Sequence, residues 1–203
     1  MNWMYRVGRP TPALLLATLL ALAGCGSSPS HNYYLLHANS MPGQGESSLS
    51  LGIGPVSVPE YLNRSALVHS GAGNTLNIAS LERWAEPLQD GITRVLGLNL
   101  AAELGTQDLR PHPWQRSERP DLAVQLWLLQ LDVRDGVAEL VTEWRLHQPG
   151  SERDVERRIS RLSQPLPGGQ WQADAAAAAY SALLQALAEE IAAAIRKVER
   201  GEG

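Results

Sequence analysis

The spacing of apolar residues along the chain predicts an alternation of strands and helices. Apolar residues recur every three or four positions from Glu86 to Leu104 and again from Ala173 to Val198, which predicts two long helices. The stretch from Asp121 to Val133 is almost continuously apolar, so we expect a strand covered on both faces. From Val137 to His147 apolar and charged residues alternate, which predicts a strand with one buried and one solvated face.

Shorter strands are predicted on either side of these elements. They are Tyr33–Leu36, Leu49–Val58, Ala66–Ser70, Thr75–Ile78 and the charged edge strand Arg153–Ser163. The order is therefore strands, helix, strands, helix. This order predicts an α+β fold, in which two long helices pack on a mostly antiparallel sheet.

The N-terminus has the pattern of a secretory signal peptide. Arg6 and Arg9 precede an apolar run from Ala13 to Ala23, which is about half of the ~20 residues that a membrane-spanning helix needs. The run ends in Leu-Ala-Gly-Cys, and Cys25 is the only cysteine. This tetrad resembles the bacterial lipobox, in which a diacylglycerol is attached to the thiol, cleavage falls between Gly24 and Cys25, and the new amine is acylated.

The chain therefore divides into three parts. Residues 1–24 are predicted to be a lipoprotein signal peptide, residues 25–32 a lipidated tether, and residues 33–203 a single periplasmic domain. Three acyl chains, palmitate among them, would hold the protein at a membrane essentially permanently. In enteric bacteria, an Asp directly after the lipidated cysteine often retains a lipoprotein in the inner membrane. This chain has Gly26 at that position, so we expect the protein to be located at the periplasmic face of the outer membrane.

Composition excludes several function classes. The net charge of −4 and the absence of a basic stripe argue against nucleic-acid binding. The predicted domain has no cysteine, and its histidines are scattered, so neither a metal site nor a noncovalent cofactor is expected. No motif places a serine beside a base, so we do not expect an enzyme.

Several stretches resemble one family, the PqiC/YmbA auxiliary lipoproteins of ABC-type transport systems. The resemblance rests on the stretches Tyr33–Leu36, Gly52–Arg64 (GIGPVSVPEYLNR), Asn74, Arg83–Leu88 (RWAEPL), Asn99-Leu100, Pro113-Trp114 and Glu143-Trp144. It implies an outer-membrane lipoprotein that docks a periplasmic MCE-domain protein to the outer membrane in intermembrane lipid transport. It also implies a possible homo-oligomer, for which the alanine face of the last helix is a candidate surface.

Five residues of the two most specific stretches are candidates for the partner interface. Tyr61, Leu62 and Arg64 fall in a predicted loop, and aromatic and arginine side chains are frequent at interface hot spots. Arg83 and Trp84 precede the first helix. Their alternative role is structural, with Trp84 as a core anchor and Arg83 paired to Glu86.

Two other functions remain open from the sequence. The domain could be a lipid carrier that holds an acyl chain in a cavity between sheet and helices, a role that a filled core would oppose. It could also be a cell-wall-associated lipoprotein that regulates an enzyme.

Overall fold

The structure, a computed structural model, describes residues 30–40, 42, 45, 47–151 and 154–201. The predicted signal peptide, the cleavage position Gly24, the lipidation position Cys25 and the tether up to residue 29 lie outside the described residues. Contacts group the described residues from His31 onward into one compact unit.

Eight strands and two long helices make up this described part of the chain. The strands are β1 (Asn32–Tyr34), β2 (Ser47–Ser57), β3 (Ala66–Ser70), β4 (Leu76–Trp84), β5 (Thr106–Pro111), β6 (Leu122–Arg134), β7 (Val137–His147) and β8 (Asp154–Pro165), and the helices are α1 (Leu88–Leu104) and α2 (Ala173–Glu199). The predicted α+β class with two helices is confirmed.

The strands form two sheets, where one was expected. The larger has the order β5-β2-β6-β7-β8, and the smaller has the order β1-β4-β3. In the larger sheet β2 runs parallel to both of its neighbours, while β6, β7 and β8 form an antiparallel meander. The parallel pairing arises because the chain passes through α1 between β2 and β5, and such a crossover returns it in the same direction.

Local sequence signals explain where the main elements turn and end. Gly105 ends α1 with a φ of 64°, the left-handed conformation that glycine adopts without strain. Asp135 and Gly136 have φ values of 50° and 73° and form the two-residue turn between β6 and β7. Helix α1 begins at Leu88 and not at Glu86, since Pro87 takes the capping position.

Both helices pack on one side of the larger sheet and against each other, α1 over β2 and β5 and α2 over β7 and β8. The inward positions of β7 are buried as the alternation predicted, and Trp144 is fully buried. Most alanines of α2 are buried in this core as well. The alanine face therefore packs inside the domain, which corrects its proposed use in self-association.

Candidate docking site

The turn between β2 and β3 carries the first candidate residues. Glu60–Leu62 form one turn of 3-10 helix, closed by N–H donation from Leu62 to the Pro59 carbonyl oxygen (2.9 Å). Leu62 is only 5% exposed, whereas Arg64 is exposed. Leu62 therefore anchors the turn in the core, and its expected place at a contact surface is wrong.

The end of β4 lies beside this turn and beside β1. The Trp84 N–H donates to the Ser65 carbonyl oxygen (2.7 Å), and the Ala85 N–H donates to the Tyr34 carbonyl oxygen (2.8 Å). Trp84 is 8% exposed, and its ring centroid lies 6.3 Å from that of Tyr180 on α2. Trp84 therefore has the structural role that was its alternative in the sequence analysis: it is an anchor in the core.

These backbone contacts bring together two segments that are separate in sequence. They form a groove of about 350 Å³, which we call the Arg64–Glu86 groove, lined by Asn63, Arg64, Ser65, Trp84, Ala85, Glu86, Pro87 and Leu88. Of this set, only Arg64 and Trp84 belong to the five interface candidates predicted from the sequence. All the others except Ser65 stand in two of the stretches that carry the family resemblance, Gly52–Arg64 and Arg83–Leu88. That resemblance was the signal that could have found them.

Ion pairing around the groove differs from expectation. The Glu86 carboxylate pairs with the Arg94 guanidinium, which also donates to the Leu36 carbonyl oxygen (2.9 Å). Arg94 lies about two helical turns further on, and helical side chains lean toward the N-terminus, so it reaches Glu86 from α1. The expected Arg83–Glu86 pair is therefore wrong; Arg83 donates to Ser65 Oγ (3.4 Å), and its Nε is buried without a hydrogen-bond partner.

Tyr61 belongs to a different surface. It is half-buried and lines a second hollow of about 430 Å³, which also includes Ser70, Leu76 and Asp132. Burial raises the pKa of the Tyr61 hydroxyl. The five candidates are thus not one surface: Arg64 and Arg83 remain accessible beside the groove, Tyr61 lies in a neighbouring hollow, and Leu62 and Trp84 support both from inside.

Two hollows differ in whether they have room for an acyl chain. The hollow among the core residues Leu67, Trp84 and Tyr180 measures about 10 Å³, whereas ligand sites usually run to about 300–1,000 Å³. A groove of about 480 Å³ opens at the surface between β2, α1 and β5, with Ile53 and Leu109 among its lining residues. By volume, a chain fits this surface groove and not the core beside Trp84.

Two further features of the described part of the chain concern metal binding and membrane insertion. Within it, no group of three or more His, Cys, Asp or Glu residues could hold a metal ion. Helix α2 is long and apolar enough to cross a membrane, but 61% of its most apolar window is buried inside the fold. We therefore assign α2 to the core of the domain.

A family model described as the ABC-type transport auxiliary lipoprotein component matches residues 33–192. The chain belongs to this family. The match runs from β1 through most of α2, so the whole Arg64–Glu86 groove lies within it, and the resemblance to the PqiC/YmbA proteins is confirmed. This auxiliary lipoprotein is therefore an accessory of a transport system in the cell envelope, and its family is described by a transport role and not by a reaction.

Solved structures show the same fold at low sequence identity. Protein XCC0632 from Xanthomonas campestris aligns with a TM-score of 0.65 at 14% identity, covering 85% of this chain and 99% of that one. A second crystal structure, of a protein described only as uncharacterized, aligns with a TM-score of 0.64 at 22% identity, covering 84% and 99% of the two chains. Among curated proteins, none matches this auxiliary lipoprotein.

Proposed function

We propose that this auxiliary lipoprotein is anchored in the outer membrane by lipid on Cys25 and docks a periplasmic MCE-domain protein through the Arg64–Glu86 groove. Its mechanism is positional. An anchored domain is confined beneath the outer membrane, which raises its effective concentration near a partner that spans the periplasm. The domain thus holds the outer end of a conduit for phospholipids or similar molecules, and it needs no cofactor for this task.

The observation that carries the proposal is the convergence of the two family-like stretches on one groove. The stretch ending at Arg64 and the stretch from Arg83 to Leu88 meet there through a 2.7 Å backbone hydrogen bond from Trp84 to Ser65. The groove offers an exposed arginine, a carboxylate and the ring of Pro87 at its rim. This mixture of charge and apolar surface suits a protein partner.

Site-specific photo-crosslinking in the native envelope tests the docking site. A photoreactive amino acid at Asn63, on the groove, should trap an MCE-domain protein. The same amino acid at Ser163, exposed on the edge strand β8, is the matched control and should not. Equal trapping from both positions, or trapping from Ser163 alone, would remove the groove from the proposal.

A charge substitution measures how much the groove contributes. Arg64→Ala should weaken binding of the MCE-domain protein about fivefold or more, because an interface arginine commonly contributes over 1 kcal/mol. Arg161→Ala, an exposed arginine on β8, should leave the dissociation constant unchanged. If both variants bind like the wild type, Arg64 has no role in docking.

The anchor is tested separately by fractionation of envelopes. Cys25→Ala should release the protein from the membrane fraction, since no acyl chain can then be attached. A Cys25→Ala protein that still fractionates with membranes and still supports transport would contradict the anchoring mechanism.

A second candidate function rests on the groove between β2, α1 and β5. Its volume of about 480 Å³ is in the range of ligand sites, so it could hold part of an acyl chain as a carrier would. Native mass spectrometry of the purified protein distinguishes the two functions. Phospholipid bound in a defined ratio, lost on Gly97→Leu, which fills this groove, would favour the carrier.

A further inference from the structure

One ion pair joins the Arg64–Glu86 groove to the groove between β2, α1 and β5. Glu86 lines the first groove, and Arg94 lines the second. The carboxylate of Glu86 is paired with the guanidinium of Arg94. A partner that contacts Glu86 in the first groove therefore acts on a cation of the second groove.

The two arginines that line the second groove differ in how far the fold already uses them. Arg110 donates from Nε and Nη2 to the carboxylate of Asp108 (2.9 and 2.5 Å). Its Nη1 donates to the carbonyl oxygens of Glu118 and Arg119 (3.1 Å each). In Arg94, the bonds to Glu86 and to the Leu36 carbonyl oxygen both come from Nη2, so the N–H donors of Nη1 and Nε lie outside the ion pair. Arg94 is therefore the arginine that can bind a ligand.

The same groove has an apolar part and a polar part. Ile53, Val56 and Leu109 supply apolar surface, and the first turn of α1 lines the groove as well. The N-terminal end of a helix carries partial positive charge, which favours an anion. Asp90 in this turn opposes an anion, but its side chain is exposed, so water and salt screen its charge. The combination with Arg94 suits an amphiphile, an acyl chain that ends in an anionic head group.

We infer that Arg94 binds the anionic head group of an acyl-chain ligand in this groove, and that Glu86 withholds Arg94 until a docked partner engages Glu86. The inference rests on the proposed docking function, because the partner supplies the group that replaces Arg94 at Glu86. The Arg94 and Glu86 side chains are 37% and 30% exposed, so their ion pair contributes little stability and is readily exchanged. A carboxylate and a phosphate both fit the released guanidinium. Docking and ligand binding then strengthen each other.

Photo-crosslinking of the full lipidated protein in vesicles tests the head-group preference. A photoreactive amino acid replaces Gln89, an exposed residue that lines the groove. The vesicles are dioleoylphosphatidylcholine with equal small amounts of oleate, oleoyl-lysophosphatidylglycerol and monoolein, which share one acyl chain and differ in head group. Mass spectrometry of the adducts gives the ratio of anionic to neutral lipid and separates the carboxylate from the phosphate. The same amino acid at Ser163, exposed on β8, gives the background ratio.

The variant Glu86→Gln releases Arg94 without a partner, so it should raise the ratio of anionic to neutral adducts. We expect a rise of between about two- and fivefold, the range that an exposed ion pair supplies. Arg94→Gln should lower the ratio to the background, whereas Arg94→Lys, which keeps the charge, should retain part of the preference. A ratio that Glu86→Gln leaves unchanged, or a ratio that stays at the background in Glu86→Gln, overturns the inference.

Docking is measured separately, so that the two proposals fail in different ways. The photoreactive amino acid at Asn63 reports the MCE-domain partner in the native envelope. Partner trapped from Asn63, together with an unchanged lipid ratio in Glu86→Gln, refutes only the inference. A raised lipid ratio in Glu86→Gln without any partner trapped from Asn63 refutes the docking function and supports the head-group site on Arg94.

Discussion

Removal of one buried hydroxyl should destabilise the domain by a predictable amount. Trp144 is fully buried, and its Nε1–H donates to Ser160 Oγ (2.8 Å), which in turn donates to Glu190 Oε1 (2.8 Å) on α2. The guanidinium of Arg158 pairs with Glu190 (2.5 Å) and lies 5.0 Å from the Trp144 ring centroid. The four side chains join β7, β8 and α2.

The variant Ser160→Ala removes the acceptor of the indole N–H and leaves that donor buried without a partner. Such a loss costs about 1–3 kcal/mol. Glu190 keeps its pair with Arg158, so no additional charge is left unpaired. A change of about 2 kcal/mol lowers the melting temperature of a domain of this size by about 4–8 °C.

Urea denaturation followed by tryptophan fluorescence measures the effect, with the m-value checked for constancy. Ser163→Ala, an exposed serine three positions later in β8, is the control and should stay within about 0.5 kcal/mol of the wild type. If Ser160→Ala is as stable as Ser163→Ala, the indole hydrogen bond does not stabilise the fold. The Glu143-Trp144 stretch of the family would then need another explanation.

Three further predictions concern other contacts of the domain. Leu62→Ala should lower the free energy of unfolding by about 2–5 kcal/mol because Leu62 is buried. The same change at Leu76 or Leu81, the exposed leucines of β4, should not. Similar losses in all three variants would contradict the role of Leu62 as an anchor. Hydrogen bonds from Ser50 lower the pKa of the Asp121 carboxyl. A lowered folded-state pKa gives stability above the unfolded value of about 3.9, and this stability is lost as the pH falls through the folded pKa. Asp121→Asn should therefore flatten the acid limb of a pH–stability curve, and an unchanged limb would exclude this cause. Hydrogen bonding to Glu82 raises the pKa of Tyr34 to about 12. In Glu82→Gln, near-ultraviolet absorbance should show one tyrosine titrating closer to about 10, and a titration identical to the wild type would show that the bond does not form.

The elements that could be predicted from the sequence are those with a local repeating pattern. The strand Val137–His147 has the same bounds in the structure, because one side chain in two belongs to the buried face from Ala138 to Leu146 and charged residues occupy most of the positions between. Helix α2 follows its apolar stripe to within one residue. Strand β5 (Thr106–Pro111) was not predicted, because it is short and polar and is held at the edge of the sheet only by parallel pairing with β2.

The candidate site was less predictable because it is made by contacts between distant residues. The division into two sheets depends on β4 pairing with β1 and β3, and nothing in the local sequence specifies those partners. Leu62 and Arg64 look equally loop-like in the sequence. One tight turn buries the first and exposes the second. The sequence indicated which stretches resemble the family, and the fold decides which of their side chains are exposed.

The three-residue strand β1 has a mechanical consequence. If Cys25 carries the anchor, a pull between membrane and partner enters the domain at Asn32, the first residue of β1. Side-chain bonds to Glu82 from Asn32 Nδ2 (3.2 Å) and Tyr34 Oη (2.5 Å) reinforce the backbone pairing with β4. A force along the strand loads these hydrogen bonds in shear, all at the same time. Strand β1 should therefore stay paired with β4 until all of them break together. Single-molecule pulling from residue 25 should then show a small first extension, the release of β1, before the remaining domain unfolds. Release of β1 would add its residues to the tether, so tension between membrane and partner would lengthen the tether.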